Sequence, residues 1–342
     1  MSTTKGMYVK MNQVSVKTIF IKGVKLGGEN PLPVFRDRQY NIPVKYIEPF
    51  PLEKKQNFGR ETSFRVLPYR MQDRYTRNRQ PMLLKKILLE NEHLEASFLP
   101  ELGGRLISLI EKKTGKELLY RNPVFQPANL GLRNAWFSGG IEWNIGQGGG
   151  HAFHTCSSVF AATVTLDNGE QFLRLYEFER CKRIYWQIDF HLPSGSKVLY
   201  AYTRVINTNL TEIPMYWWTN IAVPETPEAR VFSSADDVIY INPKEIALRD
   251  KGYGYARMPV IPSLPGEDFS YPFKSDFANE YFFQCPETRM PWEAIVYKDG
   301  EMFFEASTSR LKYRKMFCWG RDSRIPVKTD NRTANSNLVP DQ

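Results

Sequence analysis

Ile184-Tyr185-Trp186-Gln187-Ile188-Asp189-Phe190 sets its large apolar residues at every second position, the spacing of a half-buried β-strand. Leu94-Glu95-Ala96-Ser97-Phe98 alternates in the same way. Val198 to Val205 is a continuous β-prone run, as expected of a strand covered on both faces. Turn signals punctuate these runs at Lys113-Thr114-Gly115-Lys116, Asp167-Asn168-Gly169, Pro193-Ser194-Gly195 and Lys298-Asp299-Gly300. Met82 to Asn91, with Leu83, Leu84, Ile87 and Leu88, fits a short helix or a strand equally well. No long amphipathic helix is present, and 22 Phe, 18 Tyr, 23 Pro and 22 Gly suit strands and tight turns. The fold class expected is all-β, and 342 residues make one large β domain or two ordinary ones.

Hydrophobic residues at 42% and charged residues at 24% exclude wholesale disorder. No run of about 18 apolar residues predicts a transmembrane helix, and Met1 to Lys5 lacks the apolar core of a secretory signal. Cys156, Cys181, Cys285 and Cys318 are widely spaced, which argues against zinc and a disulfide framework and for reduced cytoplasmic thiols. The net charge of +9 is concentrated: residues 1–80 hold 16 Lys and Arg against 6 Asp and Glu, leaving 30 against 31 in the remainder. These charges are scattered singly, so a solvated basic face is expected rather than a nucleic-acid site. The domain reading is a basic β segment over 1–80 packing on a main β domain over 81–320, followed by a polar tail over 321–342.

Gln126 to Thr155 is too long and Gly-rich for an ordinary connection, and loops of that kind are usually functional. It carries Arg133, Asn134, Trp136, Glu142, Trp143, Asn144, His151 and His154. A carboxylate, amides and imidazoles beside an indole suit a sugar: the aromatic face covers the C–H face of a pyranose while polar groups match its hydroxyls. Glu142 with His151 or His154 is the candidate acid–base pair. Tyr216-Trp217-Trp218-Thr219-Asn220 supplies a second aromatic strand, with Trp218 as a platform and Asn220 as a polar contact, and Arg105 follows a Gly103-Gly104 turn. Glu280 and Glu305 are carboxylates that no spacing singles out. His151 and His154 have no nearby Cys and no further His, so no metal and no cofactor are expected.

Asn91-Glu92-His93-Leu94, Leu99-Pro100-Glu101-Leu102-Gly103-Gly104-Arg105, Leu119-Tyr120-Arg121-Asn122-Pro123, Ser138-Gly139-Gly140-Ile141-Glu142-Trp143-Asn144, Tyr216 to Pro224, and Arg314 to Gly320 together resemble a bacterial domain family of uncharacterised function. That family is often joined to tetratricopeptide repeats and is similar to the galactose mutarotase-like β-supersandwich; the resemblance spans roughly residues 30 to 320. It implies large antiparallel sheets with a carbohydrate site on a concave face. Epimerases of that fold use a histidine acid and a late glutamate base, which makes His151 or His154 the candidate acid and Glu142 a ligand to sugar hydroxyls. After Trp319-Gly320 the resemblance implies further strands, where this chain continues Arg321-Asp322-Ser323-Arg324-Ile325-Pro326; a C-terminally truncated member is the reading.

The expected function is therefore carbohydrate recognition, either as a binding module or with epimerase or glycoside-processing activity by His/Glu acid–base chemistry. The alternative is a non-catalytic interaction scaffold that binds an acidic partner through the basic first 80 residues. A saccharide is the expected partner, with no membrane and no nucleic acid.

Overall fold

The computed structural model describes residues 12–28, 30–31, 43–55, 71–130, 133–145, 151–152, 154–180, 182–213, 217–241, 252–262, 266–275 and 278–318. The segment 321–342, read from the sequence as a tail, lies outside the described residues, as do Cys181 and Tyr216. The described chain is almost entirely β-strand and turn, as the period-two patterns predict. It divides into two compact units: one is built mainly from residues 1–38 and 64–223, the other from 39–63 and 224–339.

Strands of four or more residues are numbered in chain order. The first unit contains β1 (Gln13–Gly23), β2 (Gln80–Glu90), β3 (Leu94–Leu99), β4 (Arg105–Glu111), β5 (Ile141–Ile145), β6 (Phe160–Thr165), β7 (Gln171–Glu179), β8 (Ile184–His191), β9 (Tyr200–Asn207) and β10 (Trp217–Ile221). An eight-stranded sheet runs β10-β5-β4-β3-β2-β1 and ends on the short strand Val124–Phe125, with Lys116–Glu117 beside β4. A four-stranded sheet runs β9-β8-β7-β6. Of Met82 to Asn91, all but Asn91 is strand, because β2 pairs with β1 over eleven residues, from Gln80 opposite Gly23 to Glu90 opposite Gln13.

The two sheets of this unit pack face to face through aromatic side chains. Phe190 of β8 meets Phe98 of β3 at 4.6 Å and Trp143 of β5 at 4.9 Å between ring centroids. Leu106, Leu175, Ile188 and Phe190 are wholly buried there, and each such side chain stabilises the fold by roughly 1.5–3 kcal/mol. The opposite face of the large sheet has its own core of Ile21, Leu84, Leu99, Leu102, Ile107, Phe125, Ala135, Phe137 and Cys156. Ala135 and Phe137 of this core belong to the Gly-rich segment of the sequence. That segment is not one long loop: β5 runs through it, inserted between β4 and β10.

One strand differs from expectation in its surroundings. β9 ends the four-stranded sheet, and Tyr200, Tyr202 and Ile206 are exposed, Tyr202 by 62%. A run of aromatic and β-branched residues reads alike for a doubly covered strand and for an exposed edge, so the sequence could not separate them.

The second unit contains β11 (Arg230–Ser233), β12 (Asp237–Ile241), β13 (Gly252–Arg257), β14 (Asn279–Gln284), β15 (Trp292–Val296), β16 (Met302–Ala306) and β17 (Tyr313–Cys318). β11-β15-β16 form a three-stranded sheet; β13-β12-β14-β17, with Lys45–Tyr46 beside β13, form a five-stranded one. Among the described residues Cys156, Cys285 and Cys318 are free and buried. No helix among them is long and apolar enough to cross a membrane.

Candidate functional site

Strand alternation decides which side chains meet. On β5 the odd positions Ile141, Trp143 and Ile145 turn toward the four-stranded sheet, while Glu142 and Asn144 turn to the other face. β10 pairs antiparallel with β5, setting Asn220 opposite Glu142 and Trp218 opposite Asn144. The first residue of β4, Arg105, lies on that same face.

Glu142 is 2% exposed, and both of its oxygens are occupied. Oε2 accepts from the Trp136 indole N–H at 2.9 Å and from Asn220 Nδ2 at 3.1 Å, and it meets His151 Nδ1 at 2.8 Å. Oε1 accepts from the Thr155 hydroxyl and lies 3.8 Å from the Arg105 guanidinium. Burial alone would raise the Glu142 pKa; His151, Arg105 and the Thr155 hydroxyl outweigh it and hold the carboxyl well below its usual range. An ionised carboxylate only accepts hydrogen bonds, so the His151 Nδ1 carries the proton and donates it.

Arg105 is equally buried. Its NH1 donates to the Gly139 carbonyl at 2.8 Å, its NH2 to Thr155 Oγ1 at 3.1 Å, and the guanidinium carbon stands 3.9 Å from the Phe137 ring centre. Removing this cation from water is costly, and Glu142 is the charge that compensates it. Arg105, placed by the sequence after a Gly103-Gly104 turn, is thus a core cation.

The imidazole of His151 is held on three sides. Trp136 covers it at 4.7 Å and Trp218 at 5.0 Å between ring centroids, and Glu142 takes Nδ1. Its Nε2 has no hydrogen-bond partner among the described residues, and the side chain is 13% exposed. Asn144 Oδ1 accepts from the Ala152 backbone N–H at 2.6 Å, which ties the residue after His151 to β5. The result is a carboxylate–imidazole pair whose Nε2 edge can take or give a proton.

A family model for a domain of unknown function (DUF5107) matches residues 62–256, more than half of the chain. The chain belongs to that family. This bears out the resemblance read from the Asn91–Arg105, Ser138–Asn144 and Tyr216–Pro224 motifs. A tetratricopeptide (TPR)-domain-containing protein from Parabacteroides distasonis is similar over 88% of this chain and 47% of its own, with 17% identity and a TM-score of 0.62. The DUF5107 chain thus spans about half the length of that protein, and the likeness is one of fold. Looser superpositions are found with a galactose mutarotase-like protein from Clostridium acetobutylicum and a 4-alpha-glucanotransferase from Thermococcus litoralis. The first has a TM-score of 0.36 and 14% identity over 73% of this chain and 88% of its own. The second has a TM-score of 0.30 and 10% identity over 68% and 35%.

The remaining sequence candidates of the DUF5107 domain fall elsewhere. Trp143 is a core residue: its indole N–H donates to the Gly104 carbonyl at 3.0 Å and its ring lies on Phe190, so it faces away from Glu142. His154 is buried with its ring edge-on to Trp186 at 5.7 Å. Burial, with the nearby Arg133 charge, pushes its pKa down to about 3, so it stays neutral at ordinary pH. Arg133 is buried, and its NH1 donates to Ser157 Oγ at 3.3 Å. Asn134 occupies a left-handed turn at φ 58°, where asparagine is among the few residues tolerated, and its carbonyl accepts from Tyr75 Oη at 3.2 Å. The Cys156 thiol is pushed up to about 12, chiefly by burial, which makes it inert as a nucleophile.

The structure therefore brings together Glu142, His151, Asn220, Trp218 and Arg105, with Asn144 bracing the segment. It sets Trp143, His154, Arg133 and Asn134 apart from the His151 ring. Two contributors were missed as site residues. Trp136 stood in the Gly-rich stretch beside the chosen residues, and its indole N–H, which needs a partner once buried, was the available signal. Thr155 had none, since a threonine after a histidine is unremarkable.

Proposed function

We propose that this domain binds a saccharide across the free edge of His151, with the half-buried Trp218 indole flanking the ring and His151 Nε2 exchanging a proton with a sugar oxygen. The observation that carries this reading is the imidazole locked by a buried ionised carboxylate and covered by two indoles. Such an arrangement fixes one tautomer and leaves the other nitrogen without a partner among the described residues, as a general acid or base requires. Glu142 serves as the orienting anion, because it is buried and both of its oxygens already accept hydrogen bonds from the protein. The sugar class is supported by the aromatic flank, which suits the C–H face of a pyranose, and by the resemblance to the galactose mutarotase-like fold. The scaffold alternative rests on the charge of residues 1–80 alone, much of which lies outside the described residues.

Thermal-shift and calorimetric titration with a panel of mono- and oligosaccharides tests the proposal. A bound sugar at 100 times its dissociation constant adds about 2.7 kcal/mol of stability. The expected result is binding by wild type, at least a ten-fold loss in His151→Ala and in Trp218→Ala, and unchanged affinity in Trp143→Phe. Equal binding by wild type and His151→Ala, or no binding by wild type to any sugar, would overturn it.

A further inference from the structure

The second unit holds two carboxylates that the proposed sugar site does not use. β15 and β16 are antiparallel neighbours whose register places Glu293 directly opposite Glu305. Side chains opposed in this way stand roughly 5 Å apart at Cβ, so two like charges there repel. The charged group set against them among the described residues is Arg314 of β17, on the neighbouring five-stranded sheet.

Arg314 is 5% exposed, and both of its terminal nitrogens are hydrogen-bonded. Nε meets Glu305 Oε1, and NH2 donates to Ser307 Oγ at 2.6 Å and to the Pro291 carbonyl at 3.2 Å. NH1 donates to the carbonyls of Leu311 at 2.8 Å and Tyr313 at 3.2 Å. Apart from Glu305, every one of these acceptors is neutral. One guanidinium therefore faces two carboxyls and can balance only one negative charge. A second charge in this half-buried place would stand uncompensated, and a group in that position takes up a proton instead.

We propose that Glu293 and Glu305 hold one proton between them at neutral pH and, with Arg314, form a pH-sensitive latch that loosens the β15–β16 pair and its tie to β17 in mild alkali. Carboxyls forced to share a site divide their protonation in this way. Burial, reinforced by Glu305, pushes the Glu293 carboxyl up to about 8. Glu305 is also raised by burial, against the pull of Arg314. A carboxyl that holds its proton more tightly folded than unfolded contributes stability that is complete below about 4.5, declines as pH rises, and is gone above about 8.

Thermal unfolding of the full chain at pH 5.5 and pH 9, for wild type, Glu293→Gln and Glu305→Gln, tests this latch. Wild type is expected to lose about 4 °C or more of melting temperature beyond the loss seen in Glu293→Gln, which should match wild type at pH 5.5 and exceed it at pH 9. Glu305→Gln leaves Arg314 without its carboxylate, so it should melt lower at both pH values while showing the same flattened fall. Carbon-13 NMR of the side-chain carboxyls should show one glutamate titrating near pH 8, and that signal should vanish in Glu293→Gln. An equal fall in wild type and Glu293→Gln, or every glutamate titrating below pH 6, would overturn the proposal.

Discussion

Glu142→Ala is expected to destabilise the first unit by about 3–5 kcal/mol, read from urea unfolding, because it strands a buried guanidinium without its counter-charge. The carboxylate receives Trp136, Asn220, His151 and Thr155, and Arg105 stands 3.8 Å from it. Truncation leaves these donors facing a void, and each loses a charge-assisted hydrogen bond at once. The same substitution has a signature in acid. Because the folded-state pKa of Glu142 is depressed, its contribution is present above the usual carboxylate range near 4.5 and is lost as pH falls below it. Wild type should therefore lose stability between pH 4.5 and pH 2 more steeply than Glu142→Ala. Parallel curves would show that the carboxylate is not held by its partners as described.

Gly140→Ala should be as damaging, costing at least about 3 kcal/mol, with loss of cooperative unfolding as the extreme outcome. Gly140 has φ 65°, a left-handed conformation that an L side chain adopts at a cost. An added Cβ would strike the Leu106 carbonyl oxygen and approach Ile107 Cα to 3.1 Å, both on the backbone of β4, which cannot rotate away. Gly140 also bonds on both sides, its N–H to the Tyr120 carbonyl at 2.8 Å and its carbonyl to the Ala222 N–H at 2.9 Å. Displacing this turn would move the neighbouring Gly139 carbonyl away from Arg105, so stability and site geometry should fail together. Urea unfolding of the variant gives the direct reading; stability within 1 kcal/mol of wild type would contradict the argument.

How much of this was legible beforehand follows from what a one-dimensional pattern can encode. The alternation of Ile184 to Phe190 predicts β8 and its buried face, since Ile184, Trp186, Ile188 and Phe190 are all buried. The turn signals at 167–169 and 298–300 fall between β6 and β7 and between β15 and β16. The residues 198–205 could not report their neighbours, because edge position depends on which strands join the sheet. Residue chemistry alone pairs Glu142 with a histidine of the same segment. Separating His151 from His154, however, required knowing that His154 turns toward Trp186 of the other sheet. The aromatic ring of Trp143 suits a sugar platform, but strand parity decides against it: with Glu142 facing Arg105, its neighbour must face the opposite sheet. That parity rule was available once 141–145 was recognised as a strand, but the surrounding glycines made the stretch read as a loop.

The most direct test of the account is an imidazole NMR titration with whichever saccharide stabilises the protein. The chain has only four histidines, so His93, His151, His154 and His191 can be assigned by single substitutions. Sugar binding is expected to shift the ring signals of His151, through its Nε2 edge, while those of His154 stay in place in the core beside Trp186. A sugar that binds without moving the His151 signals would contradict the central claim.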